Sequence, residues 1–421
     1  MRRTVCFLMF IVVTFSLTGF ADADNNHILV TQYITSETVL ADWAKKLELS
    51  EKIDSERADK SVYENLHSDN PPDFFVISTA ELPRFLNENL CEPFTPSDKM
   101  LDEISAMPPV IQQALKDSIY TQDNKLYAYP LGFEVTSMMF WVPEVWKDSP
   151  FSKITPPASY VDLLDFLENY LDTPHEGYCF YYDIFESKYP QLDWISILIK
   201  CWVLQCRNSK QPINLNNPEF LSLLKRTIEL SNRLYKVEPN IKKQKGRQLF
   251  SYHYFGSTTN GQDQYTWENM IPWRITSNQP PLVDVNITLS CARKGGPFSN
   301  RTSELFDCFV DHRQDRFDGK VNYLNYLFLN KDLIDINKWN AQVLQKHGSR
   351  WKCLFMSQEY VDSIWEIEKY GIPCTADDNY LSNTTWDAFD EYDNLSKMCV
   401  TGSISPEDYV EKMDKLAFSN N

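Results

Sequence analysis

Short apolar runs alternate with amphipathic stretches along the first part of the chain. Residues 27–33 and 73–77 are short apolar runs containing β-branched or aromatic residues, and each predicts a strand. The periodic stretches 38–49 and 80–87 that follow them predict helices. A strand–helix–strand–helix order at this spacing predicts an α/β unit with a parallel sheet.

Polar residues follow both of these predicted strands. Tyr33 and Ser36 come after the first strand, and Ser78 and Thr79 come after the second. Ligands of open parallel sheets bind beyond the carboxyl ends of the strands. These four residues are therefore predicted to line the rim of a ligand cleft.

Further strands and helices are predicted downstream. Residues 126–132 predict an extended segment, 135–142 an apolar strand and 282–291 a further strand. The stretch 192–204 is apolar almost all round, which indicates a buried helix. Residues 302–310 predict a helix, and the remainder of the chain is predicted to be largely helical.

The first residues have the pattern of a secretory signal peptide. Arg2 and Arg3 precede an apolar run at 5–20, and Ala21 and Ala23 fit the small-x-small rule for cleavage. A membrane anchor is the alternative, but the run is shorter than the roughly 18 apolar residues that a spanning helix needs. Residues 17–20 resemble a lipoprotein box with Phe20 where the lipidated cysteine would stand.

Length and charge narrow the class of protein. The chain has 421 residues, more than one hydrophobic core normally holds, so two domains are expected. The formal net charge of −17 argues against nucleic acid or an anionic membrane surface as partner.

The cysteines give no sign of a metal site. Ten are present, and cleavage of a leader containing Cys6 leaves nine. No C-x-x-C pair occurs and no histidine stands at metal-ligand spacing, so neither zinc nor another cofactor is predicted. Most of these cysteines are expected to be buried apolar residues.

Several segments resemble the family-1 extracellular solute-binding proteins, which have the maltose-binding type of fold. The strongest is DNKLYAYPL at 123–131, similar to the family's turn followed by Lys-Leu-Tyr-Ala-x-Pro. Residues 72–83, 141–146 and 156–166 resemble its Pro-Asp strand, its Tyr-Asn-x-Glu segment and its Pro-Pro helix start. The resemblance is most specific between residues 69 and 167.

The resemblance implies a two-lobed α/β fold of the periplasmic-binding-protein type II. Each lobe would be a mixed sheet flanked by helices, and hinge strands near Gly132 would join the lobes. After a signal peptide at 1–23, the N-terminal lobe is expected at 24–131 with 283–345. The C-terminal lobe is expected at 132–282 with 346–421.

The resemblance also implies a function without catalysis. We expect extracellular binding of a small solute, a sugar or oligosaccharide, by lobe closure and its delivery to an ABC importer. The expected partners are the solute and an ABC permease, with no nucleic acid, and the chain is expected to be a monomer. Its expected location is outside the cell or on the outer face of the envelope, without a lipid tether.

The candidate ligand-binding residues combine aromatic side chains, which stack on sugar faces, with acids and hydroxyls, which bind sugar hydroxyls. Each tryptophan has a competing interpretation as a core residue, and Glu134 as a solvated edge residue. The candidates are Tyr33, Ser36, Ser78, Thr79, Phe133, Glu134, Asp183, Trp267 and Trp273.

Two alternatives stay open. Secreted thiamin pyridinylases share this fold and use a cleft cysteine with an acidic base, a role for which Cys91, Cys179 or Cys291 is a candidate. Such a cysteine must be exposed in the cleft beside a carboxylate. The other alternative is a secreted sensor or scavenger without an importer, which the phenylalanine at position 20 favours.

Overall fold

The computed structural model describes residues 29–31, 37–47, 54–56, 61–180, 191–238, 247–251, 267–312, 331–333, 335–348, 357–358, 361–362, 365–375 and 386–417. The strands are β1 (Leu29–Thr31), β2 (Asp54–Glu56), β3 (Phe74–Ser78), β4 (Tyr129–Thr136), β5 (Met139–Trp141), β6 (Tyr178–Cys179), β7 (Arg247–Gln248), β8 (Phe250–Ser251), β9 (Met270–Ile271), β10 (Leu282–Ala292) and β11 (Ile372–Thr375).

The α-helices are α1 (Glu37–Lys46), α2 (Val62–Leu66), α3 (Leu82–Asn87), α4 (Asp98–Ser105), α5 (Pro109–Ile119), α6 (Pro143–Asp148), α7 (Tyr160–Asp172), α8 (Gln191–Asn208), α9 (Pro218–Val237), α10 (Thr302–Asp311), α11 (Ile336–His347), α12 (Trp386–Val400) and α13 (Pro406–Ala417).

The first sheet contains the predicted α/β unit. β1 runs parallel to both β2 and β3, with Val30 opposite Phe74. β10 runs antiparallel to β3 and to β4, and β11 runs parallel to β10. The sheet is therefore mixed, and it confirms the α/β fold class predicted from the sequence.

The sequence of β3 explains its central position. Phe74, Phe75, Val76 and Ile77 are all buried, so the strand is covered on both faces. A continuous apolar run is what a strand needs when both faces of its sheet are covered.

The strand predicted at 135–142 is two strands in the structure. β4 ends at Thr136 and pairs with β10, whereas β5 pairs with β8 and β9 in a separate three-stranded sheet. Between them, the Met138 N–H donates to the Ile271 carbonyl at 2.9 Å. The prediction of one strand is wrong because the chain changes sheets, and hydrophobicity alone does not mark that change.

Two hydrophobic clusters form the cores of the two lobes. The first packs the mixed sheet against α1, α4, α5 and α10, and the second packs α7, α8, α9, α12 and α13 around β5, β8 and β9. Val361 and Ile367 belong to the first cluster, although the predicted boundaries place them in the C-terminal lobe. The exact division of the lobes stays a prediction.

A buried polar group of residues lies at one end of the second cluster. The Tyr170 hydroxyl donates to Glu238 Oε1, and the Phe180 N–H points at the same carboxylate, 3.4 Å from Oε1. The His175 ring stacks on Tyr170, with centroids 3.9 Å apart. Burial raises the pKa of Glu238 above its ordinary value of about 4.5, although these hydrogen bonds and His175 oppose the shift.

We expect Glu238 to make stability depend on pH. Its folded pKa lies above its unfolded one, so its contribution is fully present below about pH 4.5 and is lost as pH rises through the folded pKa. Glu238→Gln keeps an acceptor for Tyr170 and Phe180 but removes this titration. Urea unfolding should show the stability of the wild type falling relative to the variant from about pH 4.5 upward. Parallel curves for the two proteins would contradict the assignment.

Candidate functional site

Two strands continue beyond the point where β3 ends. Thr288 of β10 lies opposite Ser78 of β3 on one side and Gly132 of β4 on the other. Beyond this level β10 and β4 stay paired through Ile287 opposite Phe133. The β4–β10 pair therefore extends past the carboxyl end of β3.

A group of polar side chains surrounds the carboxyl end of β3. The Thr79 N–H donates to the Ile287 carbonyl at 2.9 Å, and the Ile287 N–H donates to Thr79 Oγ1 at 3.3 Å. Glu81 Oε2 accepts from both the N–H and the hydroxyl of Ser78, at 2.9 and 3.0 Å. Ser78 and Thr79 therefore lie at the carboxyl end of β3 with Glu81 beside Ser78, but Thr79 is only 6 % exposed. That these residues line a cleft rim stays a prediction.

Of the other predicted polar residues, only Glu134 lies within the described part of the chain. Glu134 is a residue of β4, where it lies opposite Asn286 of β10. Tyr33, Ser36 and Asp183 lie outside the described residues. Gly132 stands beside a register shift between Thr288 and Leu289. That shift marks an irregularity in the strand pair close to the predicted hinge.

Aromatic rings from segments far apart in the sequence meet in two pairs. Phe133 is fully buried and meets the partly buried Trp365 edge-on, with centroids 5.8 Å apart. Trp267 is 4 % exposed and stacks on Tyr370 at 5.2 Å. The sequence did not indicate Trp365 or Tyr370, because no local pattern distinguishes them from the surrounding C-terminal segment.

Trp273 lies in a packing position. It is 2 % exposed, and its Nε1 donates to the Thr136 carbonyl at 3.0 Å. Lys200 Nζ stands 5.0 Å from the centre of its ring. The polar atom of this indole is therefore used by the main chain, and a ligand role for Trp273 stays a prediction.

A buried ion pair connects β10 to α8 of the second cluster. Asp284 of β10 is fully buried, and Lys200 of α8 places Nζ 2.6 Å from its Oδ2. The Thr136 hydroxyl at the end of β4 donates to the same oxygen at 3.3 Å. One carboxylate thus joins α8, β4 and β10.

The three cysteines named as candidate nucleophiles are all buried. Cys91 is 1 % exposed, and Cys179 and Cys291 are fully enclosed. Burial also raises the pKa of Cys291, which disfavours the thiolate that a nucleophile requires. None of the three meets the requirement of exposure in a cleft.

Comparison with solved structures identifies the fold. The chain is similar to the maltose-maltodextrin binding protein of Alicyclobacillus acidocaldarius, with 13 % identity, a TM-score of 0.54, and 93 % of this chain and 99 % of that chain covered. It is also similar to an ABC substrate-binding protein of Listeria monocytogenes in complex with cycloalternan, with 10 % identity, a TM-score of 0.53, and 93 % and 97 % covered.

A third similar structure is the cyclic alpha-maltosyl-1,6-maltose binding protein of Arthrobacter globiformis, with 11 % identity, a TM-score of 0.50, and 93 % and 98 % covered. No protein-family profile and no curated protein sequence matches the chain. The protein therefore has the two-lobed fold of maltose-binding-protein-like solute-binding proteins, as the sequence resemblance implied.

Within the described residues, no helix combines the length and the apolar character needed to cross a membrane. The same part of the chain holds no group of three or more His, Cys, Asp or Glu side chains placed to bind a metal ion.

Proposed function

We propose that the protein binds a sugar or a short oligosaccharide between its two lobes and delivers it to an ABC importer. The observation that carries the proposal is the β4–β10 pair, which continues past the polar carboxyl end of β3. The solved structures of this fold named above are described as binding maltodextrins and cyclic glucans. Because capture of a solute breaks no bond, the function requires no catalytic residue.

The fold provides a physical link between ligand binding and recognition by the importer. A ligand that contacts both lobes has more contacts in the closed form than in the open form, so it shifts the equilibrium toward closure. The paired strands β4 and β10 would serve as the hinge. The importer would then recognise the closed form.

The proposed ligand residues combine hydroxyl groups, carboxylates and aromatic rings. Ser78, Thr79 and Glu81 supply hydroxyls and a carboxylate at the end of β3. Carboxylates and hydroxyls bind sugar hydroxyls, and aromatic faces bind the apolar faces of sugar rings. The full set remains Tyr33, Ser36, Ser78, Thr79, Phe133, Glu134, Asp183, Trp267 and Trp273, with Glu81 added.

We also propose that the chain is exported and cleaved after Ala23, because its first residues have the signal-peptide pattern. Amino-terminal sequencing of the exported protein should then begin at Asp24. Retention of the leader on the exported protein would contradict this part of the proposal.

Thermal unfolding in the presence of candidate ligands tests the binding function. A ligand at 100 times its Kd stabilises the folded state by about 2.7 kcal/mol, which raises Tm by about 5–10 °C for a lobe of this size. We expect such a shift with maltodextrins or other oligosaccharides. A shift only with polyamines, peptides or phosphates would reject sugar binding.

A charge-removing substitution locates the site. Glu134 is the first residue of β4 beyond the level of Thr79, so Glu134→Gln should weaken sugar binding by about tenfold or more. Glu144→Gln changes an exposed carboxylate on α6 and serves as the matched control. Titration calorimetry should give an unchanged Kd for the control. Equal affinity of both variants would remove Glu134 from the site.

A further inference from the structure

Two cysteines that are distant in the sequence lie side by side in the N-terminal lobe. The segment at Cys91 follows α3 and runs antiparallel to the end of β10. The Glu92 N–H donates to the Ala292 carbonyl at 2.9 Å, and the Lys294 N–H donates to the Leu90 carbonyl at 2.8 Å. These bonds fix the register of the two segments.

The register brings the two thiols together. Cys91 lies opposite Arg293, and Cys291 is two residues before Arg293 on the same strand. Alternate residues of a strand share a face, so Cys291 is the diagonal neighbour of Cys91. Cys91 also helps to raise the pKa of the Cys291 thiol, after the larger effect of burial.

The surroundings hold the pair in place. Both side chains are buried, at 1 % and 0 % exposure, and both belong to the first hydrophobic cluster. A disulfide requires two cysteines whose Cβ–Sγ bonds converge, and diagonal neighbours on one face of paired segments are candidates for it. Exported proteins enter compartments in which disulfides form and persist.

We propose that Cys91 and Cys291 form a disulfide that joins the segment after α3 to β10 within the N-terminal lobe. In the cell this inference rests on the proposed export of the chain. Both cysteines belong to one lobe, so the bond leaves the hinge between the lobes free.

The oxidant is a disulfide, either of a small thiol or of an oxidoreductase. One cysteine thiolate attacks a sulfur of the oxidant and forms a mixed disulfide, releasing one thiol of the oxidant. The second thiolate then displaces the other sulfur. The two protein thiols lose two protons and two electrons, and the oxidant is reduced to two thiols.

The burial of Cys91 and Cys291 determines when the disulfide can form. The attacking group must be a thiolate with access to the oxidant, and burial disfavours both conditions. The disulfide therefore forms during folding, before the core of the N-terminal lobe packs around the two sulfur atoms. A chain folded in the reduced state should resist later oxidation.

Refolding tests the disulfide without any dependence on export. The full chain is unfolded, reduced, and refolded in a buffer of oxidised and reduced glutathione, then unfolded, alkylated without reduction and digested. Mass spectrometry should show a peptide pair linked through Cys91 and Cys291. Alkylation of both residues, or linkage of either one to another cysteine, would overturn the proposal. Failure of export would leave this result unaffected.

Stability provides a second measurement. Protein refolded in glutathione should melt about 5–10 °C above protein refolded in reductant, because the bond closes a long loop. The Cys91→Ala/Cys291→Ala double variant should lose this difference. The Cys206→Ala/Cys374→Ala double variant changes two half-buried cysteines and should keep it. A difference that survives in the first double variant contradicts the assignment.

Discussion

Replacing Lys200 by methionine is expected to lower the free energy of unfolding by about 3–5 kcal/mol, because it removes one cationic member of a buried ion pair. Asp284 is fully enclosed, and Lys200 Nζ lies 2.6 Å from its Oδ2. Methionine keeps most of the apolar stem of the lysine, so the loss comes from the charge. Denaturant unfolding, followed by circular dichroism, measures it.

An exposed lysine provides the matched control. Lys415 forms an ion pair of the same length, 2.6 Å, with Glu411, but these side chains are 71 % and 59 % exposed. Exposed pairs of this kind contribute at most about 0.5 kcal/mol. Lys415→Met should therefore change stability little.

The double variant Lys200→Met/Asp284→Leu separates loss of charge balance from loss of packing. It removes both members of the pair, so much of the lost stability should return. If Lys200→Met alone costs less than about 1 kcal/mol, the ion pair does not anchor β10 to α8 as its geometry indicates.

The α/β unit could be predicted because its signals are local. The run at 73–77 is apolar without interruption, as a strand covered on both faces requires. The long strand predicted at 282–291 is β10, and the helix predicted at 192–204 is the buried part of α8. In each case hydrophobicity along a few residues carried the information.

The site could be predicted only in part, because its geometry depends on contacts between distant residues. Nothing local distinguishes Trp273, which packs, from a tryptophan that meets a ligand. The Lys200–Asp284 pair and the Trp267–Tyr370 stack each join segments far apart in the sequence. The change of sheet after Thr136 likewise depends on the partners that β5 finds in β8 and β9.

Trp43→Ala should lower the stability of the N-terminal lobe by about 3–5 kcal/mol. Trp43 of α1 is fully buried, with its ring centroid 5.0 Å from Phe74 and 5.6 Å from Phe309. Its Nε1 donates to the Leu305 carbonyl of α10 at 2.7 Å. One side chain thus joins α1, β3 and α10, and alanine would leave a cavity and remove the hydrogen bond to the Leu305 carbonyl.

Trp43→Phe separates the loss of ring volume from the loss of the hydrogen bond to Leu305. Phenylalanine fills much of the space but cannot donate to Leu305, so it should cost about 0.5–1.5 kcal/mol, the usual net contribution of one hydrogen bond. An equal loss for both variants would show that ring volume contributes little.

Hydrogen exchange then tests whether the two clusters unfold separately. Trp43 belongs to the first cluster, whereas α8 and α9 build the second. In the Trp43→Ala variant, amides of α1, β3 and α10 should exchange faster, and those of α8 and α9 should keep their protection. Equal acceleration in all five elements would mean that the lobes unfold as one unit. Preserved protection in α8 and α9 would instead show that each lobe is stabilised by its own core, as the proposed movement of intact lobes about a β4–β10 hinge requires.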